Sequence, residues 1–90
     1  MDRKQFLEEV EKVVCTDREQ QYGTPENNFG CIAALWTVYL GYTVTPKDVA
    51  IMMALLKIAR IRTGTQKMDS WIDAAGYLVC GGTLNGTENN

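Results

Sequence analysis

The chain has 90 residues, a formal net charge of −2, no histidine and three cysteines, which sets it at one domain with a core of limited size. An acidic balance without a long basic run excludes a nucleic-acid-binding stripe and a polybasic membrane patch. Cys15, Cys31 and Cys80 form no CxxC pair, which excludes the usual zinc ligand sets and fits free thiols in a reducing, cytoplasmic compartment.

Residues 2–21 place Phe6, Leu7, Val10, Val13 and Val14 at helical spacing, with Arg3, Lys4, Glu8, Glu9, Glu11 and Lys12 opposite, and predict an amphipathic first helix. Gly23 is a C-terminal stop. Thr24-Pro25 supplies an N-cap and a first-turn proline for a second helix over 25–40. The same grammar recurs after Gly41: Thr45 caps, Pro46 takes the first helical position, and Asp48 stands three residues after the cap, giving a third helix over 46–62. Gly64 ends it, the polar loop TGTQK comes next, and a fourth helix spans 68–80 before Gly81-Gly82 stops it. The polar tail TLNGTENN is expected to fray, so residues 1–84 make one helical domain and 85–90 a disordered tail. No β alternation competes, and the fold class is all-α.

The N-terminus MDRKQFLEEVEKVV lacks the apolar core of a signal peptide. The longest uncharged run, Asn27 to Pro46, contains Asn, Gly, Thr and Pro and makes a poor membrane span. The third helix is apolar nearly all round as far as Leu56, a pattern that calls for burial on several sides. Three companion helices barely suffice to cover it, so self-association is expected, as a homodimer or higher oligomer, with Trp36, Tyr39, Tyr42 and Trp71 as anchors or, alternatively, as core residues. Cys31 and Cys80 are expected to be small core residues.

Short connections favour antiparallel neighbours, hence an antiparallel four-helix bundle. In that arrangement the end of helix one, the start of helix two, the end of helix three and the start of helix four share one end. Polar residues then gather there: Asp17, Arg18, Gln21 and Tyr22; Glu26, Asn27 and Asn28; Lys57 and Arg60; Asp69 and Asp73. Asp69 and Asp73 with Glu26 are a set of oxygen donors suited to Mg²⁺. Lys57, Arg60 and Arg18 suit phosphate oxygens. Tyr22, Asn27 and Asn28 are further ligand contacts, and a nucleotide is a ligand that needs both kinds of group. Each residue also has a purely structural role open to it. Asp69 can serve as the N-cap of helix four, and Asp73 as a dipole partner or an ion-pair mate of Arg60 or Lys57. Asn27 and Asn28 can cap helix two. Gly76, on the stripe of Asp69, Asp73 and Cys80, allows a close helix approach.

The segments DREQQYGTPENNF, TPKDVAIMMALLKIARI and DSWIDAAGYL, which cover most of Asp17 to Leu78, resemble small helical proteins of phages and prophages of the uncharacterised or nucleotide-modification-associated kind. A more distant similarity reaches the MazG-like all-α nucleoside triphosphate pyrophosphatases. The resemblance implies Mg²⁺ held by acids on two helices and hydrolysis that releases pyrophosphate. Asp69-Ser-Trp-Ile-Asp73 stands nearest to their Glu-x-x-Asp motif, at spacing four instead of three, and their Glu-x-x-Glu motif has no match. The resemblance places the chain in the cytoplasm of a bacterium or a phage-infected cell.

Two functional readings are open, and neither assigns a catalytic residue. One is an oligomeric helical domain that binds or hydrolyses a nucleotide with Mg²⁺. The other is a non-catalytic interaction module whose polar cluster is a structural ion-pair network. Asp17, Glu26, Asp69 and Asp73 against Arg18, Lys57 and Arg60 make four acids and three bases. A structural network would pair them off, whereas a ligand site would leave several unpaired and open to solvent.

Overall fold

In a computed structural model, which describes residues 1–64 and 67–84 except the side chain of Arg18, the described residues are helical with no strand. The first helix runs as α1 (Arg3–Lys12), a wide π-turn segment (Val13–Asp17) and α2 (Arg18–Tyr22); α3 (Pro25–Leu40), α4 (Pro46–Thr63) and α5 (Met68–Gly82) complete the chain order. The expected boundaries hold to within two residues, and side-chain caps form at the starts of α1, α3 and α4. Asp2 accepts from the Gln5 N–H while Gln5 accepts from the Asp2 N–H. Thr24 Oγ1 accepts from the Asn27 N–H. Thr45 and Asp48 form a reciprocal capping box, with bonds of 3.1 and 3.0 Å. Gly23 and Gly41 end their helices at φ +80°, a conformation that costs a side-chain-bearing residue but not glycine.

Three local expectations are corrected. The fourth helix is capped at Lys67 with no side-chain bond, so Asp69 lies inside the first turn and is not the N-cap. Gly81 and Gly82 continue that helix, and it ends at Thr83. The stop fails at Gly81 because the backbone there is pressed against α4: a Cβ on Gly81 would lie 2.8 Å from Ala50 Cβ. The tail expected to fray includes Leu84, which is buried in the core. The predicted disorder of residues 85–90 and part of the TGTQK loop lie outside the described residues.

The core is built from Val10, Val14, Phe29, Ala33, Val49, Ala50, Ala54, Ile72, Tyr77 and Cys80, closed at the edges by Val44 and Leu84. The most extensive packing joins α4 to α5, next α3 to α4, then α1 to α5. Two contacts fix α4 and α5 as antiparallel: Ala50 meets Gly81 near the start of α4, and Lys57 meets Asp73 two turns later. Small residues at this seam permit the approach, with Ala50 and Ala54 on α4 and Ala74 and Gly81 on α5 all buried. Between α3 and α4, Thr37 holds the connecting loop by accepting the Val44 N–H at 2.8 Å and donating to the Val44 carbonyl.

The apolar residues are distributed less evenly than the helical periodicity implied. Leu7 is exposed while Phe6 takes the half-buried position. Cys31, expected in the core, faces solvent; only Cys80 of the cysteines is buried. Trp36 packs against the core at partial exposure, whereas Tyr39, Tyr42 and Trp71 are exposed. On α4, Ile51, Met52, Leu55, Leu56 and Ile58 are also exposed, so the helix that is apolar nearly all round is covered on one side alone. Among the described residues, no helix is long and apolar enough to cross a membrane.

Candidate functional site

The polar residues are placed by α4 and α5. Lys57 Nζ lies 3.0 Å from Asp73 Oδ2, with both side chains partly shielded from water. This pair is one of the structural options open to Asp73, and it forms because antiparallel α4 and α5 put position 57 opposite position 73. One further turn toward the same end, Arg60 succeeds Lys57 on α4 and Asp69 precedes Asp73 on α5, and both are exposed. Among the described residues neither has an ion-pair partner within 4.0 Å, and the same holds for Asp17 and Glu26. Asp69 and Asp73 stand four apart on one helix face, about 5–6 Å between Cβ atoms.

The first helix reaches this region through its π-turn. Val13 and Val14 line a cleft with Asp73, Gly76 and Tyr77, and Val14 Cγ2 would lie 3.2 Å from a Cβ on Gly76. Gly76 thus provides the close approach expected of it. The cleft holds about 10 Å³, at the lower limit for a single water. The helical periodicity gave no sign of the widened turn. It inserts a residue, which rotates the succeeding residues by roughly 100° relative to a continuous helix. That accounts for Asp17, Gln21 and Tyr22 being exposed although they continue the inward stripe of a regular helix. Arg18 opens α2.

An aromatic contact also links α3 to α5. Phe29 on α3 and Tyr77 on α5 have ring centroids 6.2 Å apart. Glu26 precedes Phe29 by one turn and Asp73 precedes Tyr77 by one turn, so the rings join the first half of α3 to the middle of α5. Glu26 and Asn28 are half-buried, Asn27 is exposed with its N–H engaged by Thr24, and Tyr22 is exposed. Tyr77 lines the cleft beside Asp73 and was not among the residues expected there. Its signal is present in the sequence, since Asp73 and Tyr77 share a face at spacing four.

Among the described residues, no group of three His, Cys, Asp or Glu side chains is close enough together to form a metal cage. What exists is a pair of carboxylates, one of them already paired with Lys57. Mg²⁺ fits such a donor set, because it keeps several waters and commonly takes one or two carboxylates with the remaining oxygens supplied by a bound phosphate.

A model of the family described as "Domain of unknown function (DUF6378)" matches residues 5–85. The "Gene 55 protein" of Mycobacterium phage D29 is 40% identical over 75 residues, covering 83% of this chain and 50% of that protein. The "Gene 55 protein" of Mycobacterium phage L5 is 43% identical over 73 residues, covering 80% of this chain and 47% of that protein. The chain spans about half the length of these curated relatives. No solved structure matches it. With the family model matching nearly the whole chain, the chain belongs to the DUF6378 family, and two phage proteins are similar to four-fifths of it.

Proposed function

We propose that the protein binds a nucleotide through its phosphates at the end formed by the close of α4 and the start of α5. Arg60, Lys57 and Arg18 contact phosphate oxygens. Asp69 and Asp73 hold a Mg²⁺ ion that arrives with the phosphates, Glu26 is a further donor on this reading, and Tyr22, Asn27 and Asn28 meet the base or sugar. The observation that carries the reading is the state of the charges. A structural network of acids and bases would be paired, yet among the described side chains, which do not include Arg18, Lys57–Asp73 is the only ion pair, and Asp17, Glu26, Asp69 and Arg60 have no ion-pair partner within 4.0 Å. When bound, the metal would neutralise phosphate charge and lower the pKa of an attacking water. The chain's own residues position the phosphates.

The test is a thermal-shift panel of nucleoside mono-, di- and triphosphates with and without Mg²⁺, with Arg60→Gln and Asp69→Asn as variants. Both side chains are exposed and unpaired among the described residues, so both variants should fold as the wild type does. A nucleotide at ten times its Kd stabilises by about 1.4 kcal/mol, a rise of roughly 6–11 °C for a domain of this size. The shift should need Mg²⁺ and should shrink in both variants. No shift at millimolar nucleotide would overturn the reading, and release of pyrophosphate or phosphate distinguishes turnover from binding.

A second reading, the non-catalytic interaction module, is favoured by the half-buried 3.0 Å Lys57–Asp73 pair, which suits a contact that fixes the register of α4 on α5. On this reading Lys57→Met with Asp73→Leu keeps the fold and the assembly, and no nucleotide shifts the midpoint.

A further inference from the structure

We propose that the outer face of α3 and α4 is covered by the same face of a second copy of the chain, related by a two-fold axis. The inference rests on observations separate from those behind the phosphate site. On α3, Cys31, Leu35 and Val38 succeed one another at spacings of four and three, so they form a stripe along the helix, with Tyr39 beside it. This is the spacing at which helices pack side by side, but here the stripe faces solvent: Val38 is 82% exposed and Tyr39 89%. Tyr42 beyond the end of α3 and Met52 and Leu55 on α4 extend it.

The extent of the face matches a second copy. A fully exposed large side chain presents about 150–200 Å², so Leu35, Val38, Tyr39, Tyr42, Met52 and Leu55 leave roughly 700 Å² of apolar surface at their observed exposures. A standard-size interface takes about 800 Å² from each partner, and monomers rarely expose contiguous apolar patches above a few hundred Å². Between α3 and α4 the surface also dips into a groove of about 360 Å³ lined by Trp36, Tyr39, Leu40 and Met52, a receptacle for a large side chain of the opposing copy.

Charge selects the occupant. From Asn27 to Pro46 the sequence has no formal charge, and from Val49 to Leu56 it has none either. Such a face meets its own copy without like-charge repulsion and offers nothing to a charged partner. An isologous contact also needs one surface to serve twice, which a stripe running the length of α3 does.

Two measurements test the proposal, one of them on the unaltered chain. Light scattering at tens of micromolar should give twice the 10.1 kDa chain mass, and Val38→Lys with Tyr39→Lys should return it to 10.1 kDa. Thiol labelling of the wild type supplies the second. Within one copy Cys15 and Cys31 are both exposed and Cys80 is buried, so a monomer has two fast-reacting thiols. With the face covered, Cys15 alone should react fast and Cys31 should be slowed at least tenfold, recovering on dilution. A 10.1 kDa mass with Cys31 as reactive as Cys15 would overturn the proposal, as would an assembly whose mass survives the double substitution. Should the double variant not fold by circular dichroism, the wild-type labelling decides alone.

Discussion

Replacing Gly81 by alanine sets two effects of opposite sign against each other at one position. Alanine is favoured over glycine inside a helix by about 0.5–1 kcal/mol, and the gain is smaller in the last turn, where Gly81 lies. Against it stands a Cβ placed 2.8 Å from Ala50 Cβ, where ordinary carbon contacts are about 3.5–4.0 Å. Ala50 is buried and has no rotamer by which to retreat, so α4 and α5 must separate by about 1 Å along their best-packed seam. Overpacking of this kind costs about 1–3 kcal/mol, which leaves a net destabilisation of about 1–2 kcal/mol, or roughly 4–16 °C in Tm. Gly30 is the internal control. It lies within α3, a Cβ there meets nothing within 4 Å, and Gly30→Ala should stabilise by about 0.5–1 kcal/mol. Thermal and urea unfolding at one fixed protein concentration read both, since association shifts apparent stability. A Gly81→Ala midpoint at or above wild type would refute the close approach of α4 and α5.

Phe29 has no exposure and packs on Tyr77, so Phe29→Ala should cost about 3–5 kcal/mol in urea titrations, most of the stability of a domain this small; a loss under about 1 kcal/mol would contradict its central place. Thr37→Val removes both bonds to Val44 and leaves its N–H without that acceptor, at a cost of about 1–3 kcal/mol, with amide exchange at Val44 accelerating more than exchange in α5. Thr45→Ala should cost about 1 kcal/mol by removing the cap of α4. The Thr45 backbone N–H and, secondarily, its hydroxyl hold the Asp48 carboxyl below its ordinary value of 3.8. The stabilisation from Asp48 is therefore present above pH 3.8 and is lost as the pH falls through the lower folded value. Stability measured from about pH 6 to pH 2 should fall less steeply in Asp48→Asn, and curves of equal slope would contradict the assignment.

Helix positions were legible because the punctuation is local. Thr24-Pro25 and Thr45-Pro46 each satisfy a backbone N–H that the helix itself cannot, and Gly23 and Gly41 each adopt a positive φ that few other residues tolerate, so these residues and their neighbours suffice to place two boundaries. Gly81 misled because glycine stops a helix and also permits close packing, and only the position of Ala50 distinguishes the two roles. The π-turn carried no such mark, since Val13, Val14, Cys15, Thr16 and Asp17 are ordinary helix residues and the extra residue is accommodated by packing against α5. Of the site, the pairing of Lys57 with Asp73 is a consequence of antiparallel packing of consecutive helices. The junction of Phe29 with Tyr77 joins helices far apart in sequence, and periodicity within one helix carries no information about its neighbour.

The two proposals share a cause in the way charge is partitioned along the chain. On α3 the only formal charge is Glu26, in its first turn; on α4 the charges are Lys47 and Asp48 at the start and Lys57, Arg60 and Arg62 at the end. The middle of both helices is uncharged. A polyanion can therefore gain charge-assisted contacts from these helices only at their ends, where cations on α4 lie beside the carboxylates of α5. An apolar partner can gain only in the middle, where no charge must be desolvated. Salt separates the two contributions. Raising ionic strength screens exposed charges within about 10 Å at 0.1 M, so it should weaken any nucleotide-dependent stabilisation while leaving the assembly on α3 and α4 unchanged or slightly tighter. If assembly dissolved as salt rose while the nucleotide response persisted, the placement of charged contacts at the helix ends and apolar contacts between them would be wrong.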